Sequence, residues 1–255
     1  MYLGAPPPTL SPAPLRILGP IEVEGARVPR GRPLALLALL VIGRGHLIPL
    51  ERVVDELWEG AGPRHERKAV HVVASRLRAA LPVGALRSAC GGYRLVVPDG
   101  ALDAERFETL ARQGAAELAG GQAQRAAATL RRALALWRGP ALTDVAHARF
   151  AQPEIARLEE LRFACRSARI DADLACGGHA AVVGELEALV RAHPLREGLR
   201  AQQMVALYRA GRQAEALGAY RDAYAALTSR LGVPPSPRLR ALEAAILRHE
   251  VPAPG

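Results

Sequence analysis

Three glycines in the second half of this chain each precede the same spacing of apolar residues, and that spacing leaves little choice of fold. Gly211 is followed by Ala216, Tyr220 and Ala223 at offsets of 5, 9 and 12, and Gly177, 34 residues earlier, by Val182, Leu186 and Leu189 at the same offsets. Gly121 leads Ala126, Leu130 and Ala133 in the same pattern, 56 residues before Gly177. Steps of four and three return to one face of a helix, while a leading glycine gives the chain the freedom to turn. From Leu102 onward the text is Ala, Leu, Glu and Arg at helical period, cut by glycines and prolines. Helices of this kind bury their apolar stripe against one another.

A 34-residue period led by a turn glycine is the tetratricopeptide pattern. Alanine-rich antiparallel helices without a strict repeat also fit, and in either case residues 101–250 read as an all-α packing module. The first part of the chain is different. Residues 1–14 hold Pro6, Pro7, Pro8, Pro12 and Pro14 and read as a disordered extension. Leu15–Leu18 and Ile21–Glu24 are short strands about a Gly19-Pro20 turn, with Val28 in a third after Gly25. Pro33 opens a helix that runs to Ile42 and stops at Gly43. A second helix spans Leu50–Trp58, with Leu50, Val53, Val54 and Leu57 on one face, and ends at the Gly60-Ala61-Gly62-Pro63 turn. A third runs from about His65 to Leu81. Ala85–Ala89 and Tyr93–Val97 then flank Gly91-Gly92 as a hairpin, and Pro98-Asp99-Gly100 is the expected domain boundary. The fold class expected is mostly α: a winged helix-turn-helix with small β-sheets over 15–98, then the helical bundle.

Charge and composition exclude several functions. The chain of 255 residues has a formal net charge of +9, and among its 34 basic residues Lys68 is the lone lysine. A P-loop needs its lysine followed by Ser or Thr after a glycine lead-in, and Lys68 precedes Ala69 with no such lead-in. No GxSxG or HExxH occurs. His65 and His71 lack partners at metal spacing, and Asp171 and Asp173, two apart on a helix, point in different directions. No cofactor, metal or catalytic residue is expected. Cys90, Cys165 and Cys176 form no CxxC pair, and the longest apolar run, nine residues over Leu34–Ile42, falls short of the roughly 20 a bilayer requires. With no apolar h-region in residues 1–15, the expected place is the cytoplasm, at the nucleoid.

The charge concentrates where the third helix meets the hairpin. Between Arg64 and Arg94 lie seven basic residues and one acidic, Glu66. At 100° per residue, Val70, Val73, Ala74, Leu77 and Leu81 share one stripe of this helix. Arg64, Lys68, His71, Val72, Ser75 and Ala79 face the other way, flanked by Arg76 and Arg78. Arg and Lys neutralise phosphates, Ser and His donate to phosphates or base edges, and Val72 and Ala79 suit thymine methyl groups. A helix pair, this helix and a glycine-tipped hairpin together describe a helix-turn-helix with a wing.

On these residues the stretch Leu15–Val97 resembles the winged-helix domain of OmpR-type response regulators. The whole of Leu15–Glu250 is similar to the Streptomyces antibiotic regulatory proteins. The marks are LRILGPIEV, LLALL, LERVVDELW, SRLRAAL, GYRL, ALALWRGPAL, HPLRE and LYRAGRQAEALGAYR, in that order. The resemblance implies a second half that is a bacterial transcriptional activation domain with a tetratricopeptide-like bundle. It implies a DNA-binding activator that uses promoter direct repeats, a second protomer on the DNA and RNA polymerase holoenzyme, and that serves an antibiotic gene cluster. Residue by residue, Ser75, Arg76 and Arg78 fall in the recognition helix, with Lys68 and His71 earlier on its face. Tyr93 braces the wing, and Arg94 reaches a minor-groove phosphate. Pro33-Leu34 stands where the family has a polar pair, and Ala74 replaces a valine. Receiver and ATPase segments have no counterpart here, so control by aspartate phosphorylation or ATP is not expected within the chain. The alternative function is a scaffold whose winged helix docks protein instead of DNA.

Overall fold

In a computed structural model of the chain, residues 15–58, 65–89 and 91–250 are described. Leu15–Arg16 (β1) and Glu22–Val23 (β2) form an antiparallel ribbon with Leu15 opposite Val23. The third strand expected at Val28 does not form; Gly25 turns the chain in the left-handed region, and Ala26 makes an isolated bridge back to Val23. Helix α1, Arg32–Ile42, carries Pro33 in its first turn and buries every residue from Leu36 to Val41. Apolar all round, it is the central helix of its domain. Ile48–Pro49 (β3) then leads directly into α2, Leu50–Trp58, which buries Val53 and Val54 and leaves Leu50 and Leu57 half-buried. Helix α3 spans Glu66–Ala80, while the turn expected at Gly60–Pro63 lies outside the described residues.

Leu86–Ala89 (β4) and Gly92–Leu95 (β5) make the hairpin, and the sheet has the order β3-β5-β4. Strand β3 was not expected from sequence, because two residues carry no periodicity of their own. It exists because Gly92 lets Ile48 approach: a Cβ at Gly92 would sit 2.4 Å from the Ile48 carbonyl oxygen. Two helices, α3 and a three-stranded wing make this a winged helix-turn-helix.

The helices that follow are α4 (Asp103–Ala119), α5 (Ala123–Leu134), α6 (Gln152–Ala175), α7 (His179–Ala192), α8 (Glu197–Arg209), α9 (Gln213–Leu231) and α10 (Pro237–Leu247). Two 3₁₀ turns, Thr143–Val145 and Arg149–Ala151, precede α6. The described residues divide into two compact units, one of residues 15–109 with 133–162, the other of 110–132 with 163–250. The Pro98-Asp99-Gly100 turn lies inside the first unit. There the buried Asp103 carboxylate accepts the Ile17 and Leu18 backbone N–H groups at 2.8 and 3.1 Å. The carbonyls of the same two residues accept from Leu142 and Arg138 N–H at 2.9 and 2.8 Å. The start of the winged helix is thus stitched to segments about 86 to 125 positions later.

In the second unit the repeat is a real geometric device. Gly121, Gly177 and Gly211 have φ of +71°, +84° and +78°. Just after each, an N–H reaches back over the turn: Gln122 to the Glu117 carbonyl, Gly178 to Asp173 and Arg212 to Leu207, at 2.8–2.9 Å. This is the glycine-capped helix end, in which a left-handed residue satisfies carbonyls the helix leaves open. Val182, Leu186 and Leu189 on α7 and Ala216, Tyr220 and Ala223 on α9 join one core with Leu199, Met204 and Leu207 of α8. No helix among the described residues is long and apolar enough to cross a membrane.

Candidate nucleic-acid interface

Helix α3 separates its two faces as its sequence requires. Val70, Val73, Ala74 and Leu77 are buried against the domain, while Leu81, extended just past the helix end, is half-buried. Lys68, His71, Ser75, Arg76, Arg78 and Ala79 are exposed, and Val72 is 46% exposed. At about 1.5 Å per residue the 15-residue helix is roughly 22 Å long, enough to lie along a major groove about 12 Å wide. Arg64 and Cys90 lie outside the described residues.

The wing adds charge on one face of its hairpin. Leu86 pairs with Leu95 and Ser88 with Tyr93 on the inner face, and between them Arg87 stands directly opposite Arg94, both exposed. Like charges opposed across two strands repel, and an anion between them removes the repulsion. Arg67, Lys68, Arg76, Arg78, Arg87 and Arg94 make no ion pair with a carboxylate among the described residues. Arginines elsewhere do: Arg157 reaches Glu108 and Glu154 at 2.7 Å, Arg169 reaches Asp173 at 3.0 Å, and Arg212 reaches Glu215 at 2.6 Å. Exposed arginines without a carboxylate partner among the described residues also stand elsewhere, Arg30, Arg149, Arg191 and Arg230 among them; what marks α3 and the wing is that such cations cluster, with Glu66 the one acidic residue between Arg64 and Arg94.

The structure ties α3 to the wing through side chains. Arg78 donates to the Ser88 hydroxyl at 2.9 Å. The Tyr93 hydroxyl lies 3.0 Å from His71 Nδ1, and the two rings meet edge to face. Tyr93 is 2% exposed, so it braces from within and offers no surface to a ligand. Burial pushes its phenol pKa up, with Arg78 opposing. Of the residues singled out from sequence, His71, Arg78 and Tyr93 come together around this contact; Lys68 and Arg76 stand apart on the open face. Arg87 and Ser88 were not singled out. Arg87 lay within the counted charge cluster, and strand alternation with Arg94 was the signal that could have found it.

At the start of α1, Pro33 and Leu34 are buried and offer no polar group, while Arg32 stacks over the Trp58 ring at 4.8 Å. Trp58 itself is half-buried. Trp137 is core, edge to face with Phe107 at 5.3 Å. Asp171 accepts from Gln202 and Asp173 from Arg131 and Arg169, so the two carboxylates serve separate contacts. No His, Cys, Asp and Glu cluster suited to a metal occurs among the described residues.

Residues 102–247 match the bacterial transcriptional activator domain family. The transcriptional regulatory protein EmbR of Mycobacterium tuberculosis is 38% identical over 92% of this chain, which spans 63% of that protein's length. A solved structure of EmbR in complex with a low affinity phosphopeptide superposes with a TM-score of 0.86, over 93% of this chain and 65% of that one. The regulatory protein AfsR of Streptomyces coelicolor is 42% identical over 91% of this chain and 24% of its own length. The regulatory protein DnrI of Streptomyces peucetius is 37% identical over 85% of this chain and 84% of its own length.

Proposed function

The chain belongs to the Streptomyces antibiotic regulatory protein family of transcriptional regulators and is not an enzyme, and from that premise we propose that it activates transcription by reading promoter direct repeats with α3. The observation that carries this reading is the cluster of exposed, unpaired cations on α3 and the wing, with one acidic residue among them. Lys68, Arg76, Arg87 and Arg94 neutralise phosphates, as does Arg64, which precedes α3 in the sequence. Val72 and Ser75 meet base edges or thymine methyls, and His71 a base edge. Arg78 and Tyr93 hold the helix and wing in register. Residues 15–98 form the DNA-binding part and 101–250 the part that contacts a second protomer and RNA polymerase holoenzyme. Its place of action is the cytoplasm, on the nucleoid, at a secondary-metabolite cluster.

Direct repeats place two protomers head to tail, so one patch meets a different patch on the neighbour. Two α3 helices share a face of the duplex when half-sites are whole turns apart, about 10–10.5 bp. The test starts from a footprinted promoter in a purified transcription assay. Inserting about 5 bp between the repeats turns the second protomer away. Cooperative binding and activation are then lost, while each half-site still binds alone. Full activation with the half-turn insertion would sink the paired-protomer mechanism.

A further inference from the structure

We infer that Tyr93, from inside the wing, fixes which nitrogen of His71 carries the proton, and so sets what α3 can read at one base pair. This rests on the reading of α3 as the groove-facing helix. The phenol oxygen lies 3.0 Å from His71 Nδ1, with ring centroids 6.2 Å apart and planes at 72°. Tyr93 is 2% exposed and locked in β5, whereas His71 stands on the open face of the helix. One ring is therefore fixed by the fold and the other is aimed by it.

A phenol and an imidazole nitrogen can pair in two ways. The hydroxyl donates to a bare Nδ1, or an Nδ1–H donates to the phenol oxygen. The second leaves the phenol proton in need of another acceptor at a part-buried position. Among the described residues the Tyr93 side chain makes no other hydrogen bond, and the nearby Arg78 guanidinium is donor-only. A stranded donor costs its full desolvation, whereas an oxygen with a spare lone pair costs less. The phenol also keeps its proton at neutral pH, since burial raises its pKa from an already high value. The hydroxyl therefore donates, Nδ1 accepts, and the imidazole proton resides on Nε2.

Nε2 lies on the ring edge away from Tyr93. His71 thus presents one N–H donor and no acceptor beyond the wing contact. A single donor suits N7 or O6 of guanine, N7 of adenine or O4 of thymine, and is refused by the amino groups of cytosine and adenine. Tyr93 never touches DNA in this arrangement. It is a positioning residue that selects the base through the tautomer of its neighbour.

The tautomer is read by ¹⁵N NMR on the histidines of the full chain, free of DNA, in the wild type and in Tyr93→Phe. The base preference is read by titrating both, and His71→Ala, against duplexes that vary each pair of a footprinted half-site. The expected result is an Nε2–H tautomer in the wild type and a mixture in Tyr93→Phe. Discrimination at one base pair should fall roughly tenfold in Tyr93→Phe, at the same pair that His71→Ala relaxes, with an unchanged salt slope. An Nδ1–H tautomer in the wild type overturns the inference. So does uniform weakening on all duplexes in His71→Ala, which would mean a phosphate contact. Because loss of the hydroxyl can disturb the wing, the wild-type tautomer and the exposed His71→Ala decide the matter without that variant. A wild type that binds no duplex overturns the DNA reading itself, and the tautomer, measured without DNA, tells the two failures apart.

Discussion

At the scale of single residues, what distinguishes this surface is the clustering of charge without a partner. Arg87 and Arg94 face each other across the hairpin with no described carboxylate between them. Such a pair contributes nothing to folding and a few tenths of a kcal/mol against it. Arg87→Ala should therefore leave the melting temperature unchanged or slightly higher, while weakening binding to all duplexes and lowering the slope of log K against log salt by about 1. Thermal melting and salt titration of one variant check both signs, and a lower melting temperature with unchanged binding would make Arg87 a structural residue. The exposure of Val72 on α3 follows from its place opposite the Val70–Leu77 stripe, and that much was legible from periodicity. The inward turn of Tyr93 and its contact with His71 were not. They depend on which hairpin face meets α3, which no local pattern specifies.

At the scale of elements, the fold relies on a few long-range polar ties. The Asp103 carboxylate accepts two backbone N–H groups from the β1 turn. Asp103→Ala strands both buried donors and should destabilise by about 1–3 kcal/mol, measured by denaturant unfolding. A loss below a few tenths would mean that the ribbon is held by its apolar contacts alone. Packing of α4 on α5 is equally specific, since a Cβ at Gly114 would sit 2.5 Å from Leu130 Cγ. Gly114→Ala gains helix propensity, yet overpacking should win by about 1–3 kcal/mol. A stabilised variant would show that Leu130 has room to move.

The ends of α1, α4 and α6 meet in an ionic cluster. Burial works against the charged form of Glu108, but hydrogen bonds and charge from Arg157 and Arg44, at 2.7 and 3.1 Å, outweigh it and hold the carboxyl below its usual range. A depressed folded-state pKa gives stability that is present above the unfolded value of about 4.5 and is lost as pH falls through the folded one. Glu108→Gln should thus flatten the fall in melting temperature below about pH 4.5, and an equally steep fall would place the acid sensitivity elsewhere. Asp103 has the opposite sign, since burial raises its carboxyl, and adds nothing to that fall.

At the scale of the whole molecule, the parts legible in the sequence are those built on local period. The helix-turn-helix, the glycine-tipped wing and the Gly177 and Gly211 repeat each repeat a spacing within a few turns, and each takes its expected form. The two-residue strand β3 was hidden, because its partner β5 makes it. The grouping of residues 133–162 with the first compact unit was hidden too: it rests on N–H bonds of Arg138 and Leu142 to Leu18 and Ile17, contacts that leave no trace in either segment's own pattern. Charge is legible from sequence as a sum and as a cluster, but which of its members find a carboxylate is not. The most direct test of α3 as the DNA-reading element is the salt dependence of duplex binding by the full chain, Lys68→Ala, Arg76→Ala and the double variant. The expected result is a slope of log K against log salt reduced by about 1 in each single variant and about 2 in the double, on specific and non-specific duplexes alike. An unchanged slope in all three would place the nucleic-acid surface elsewhere and contradict the central claim.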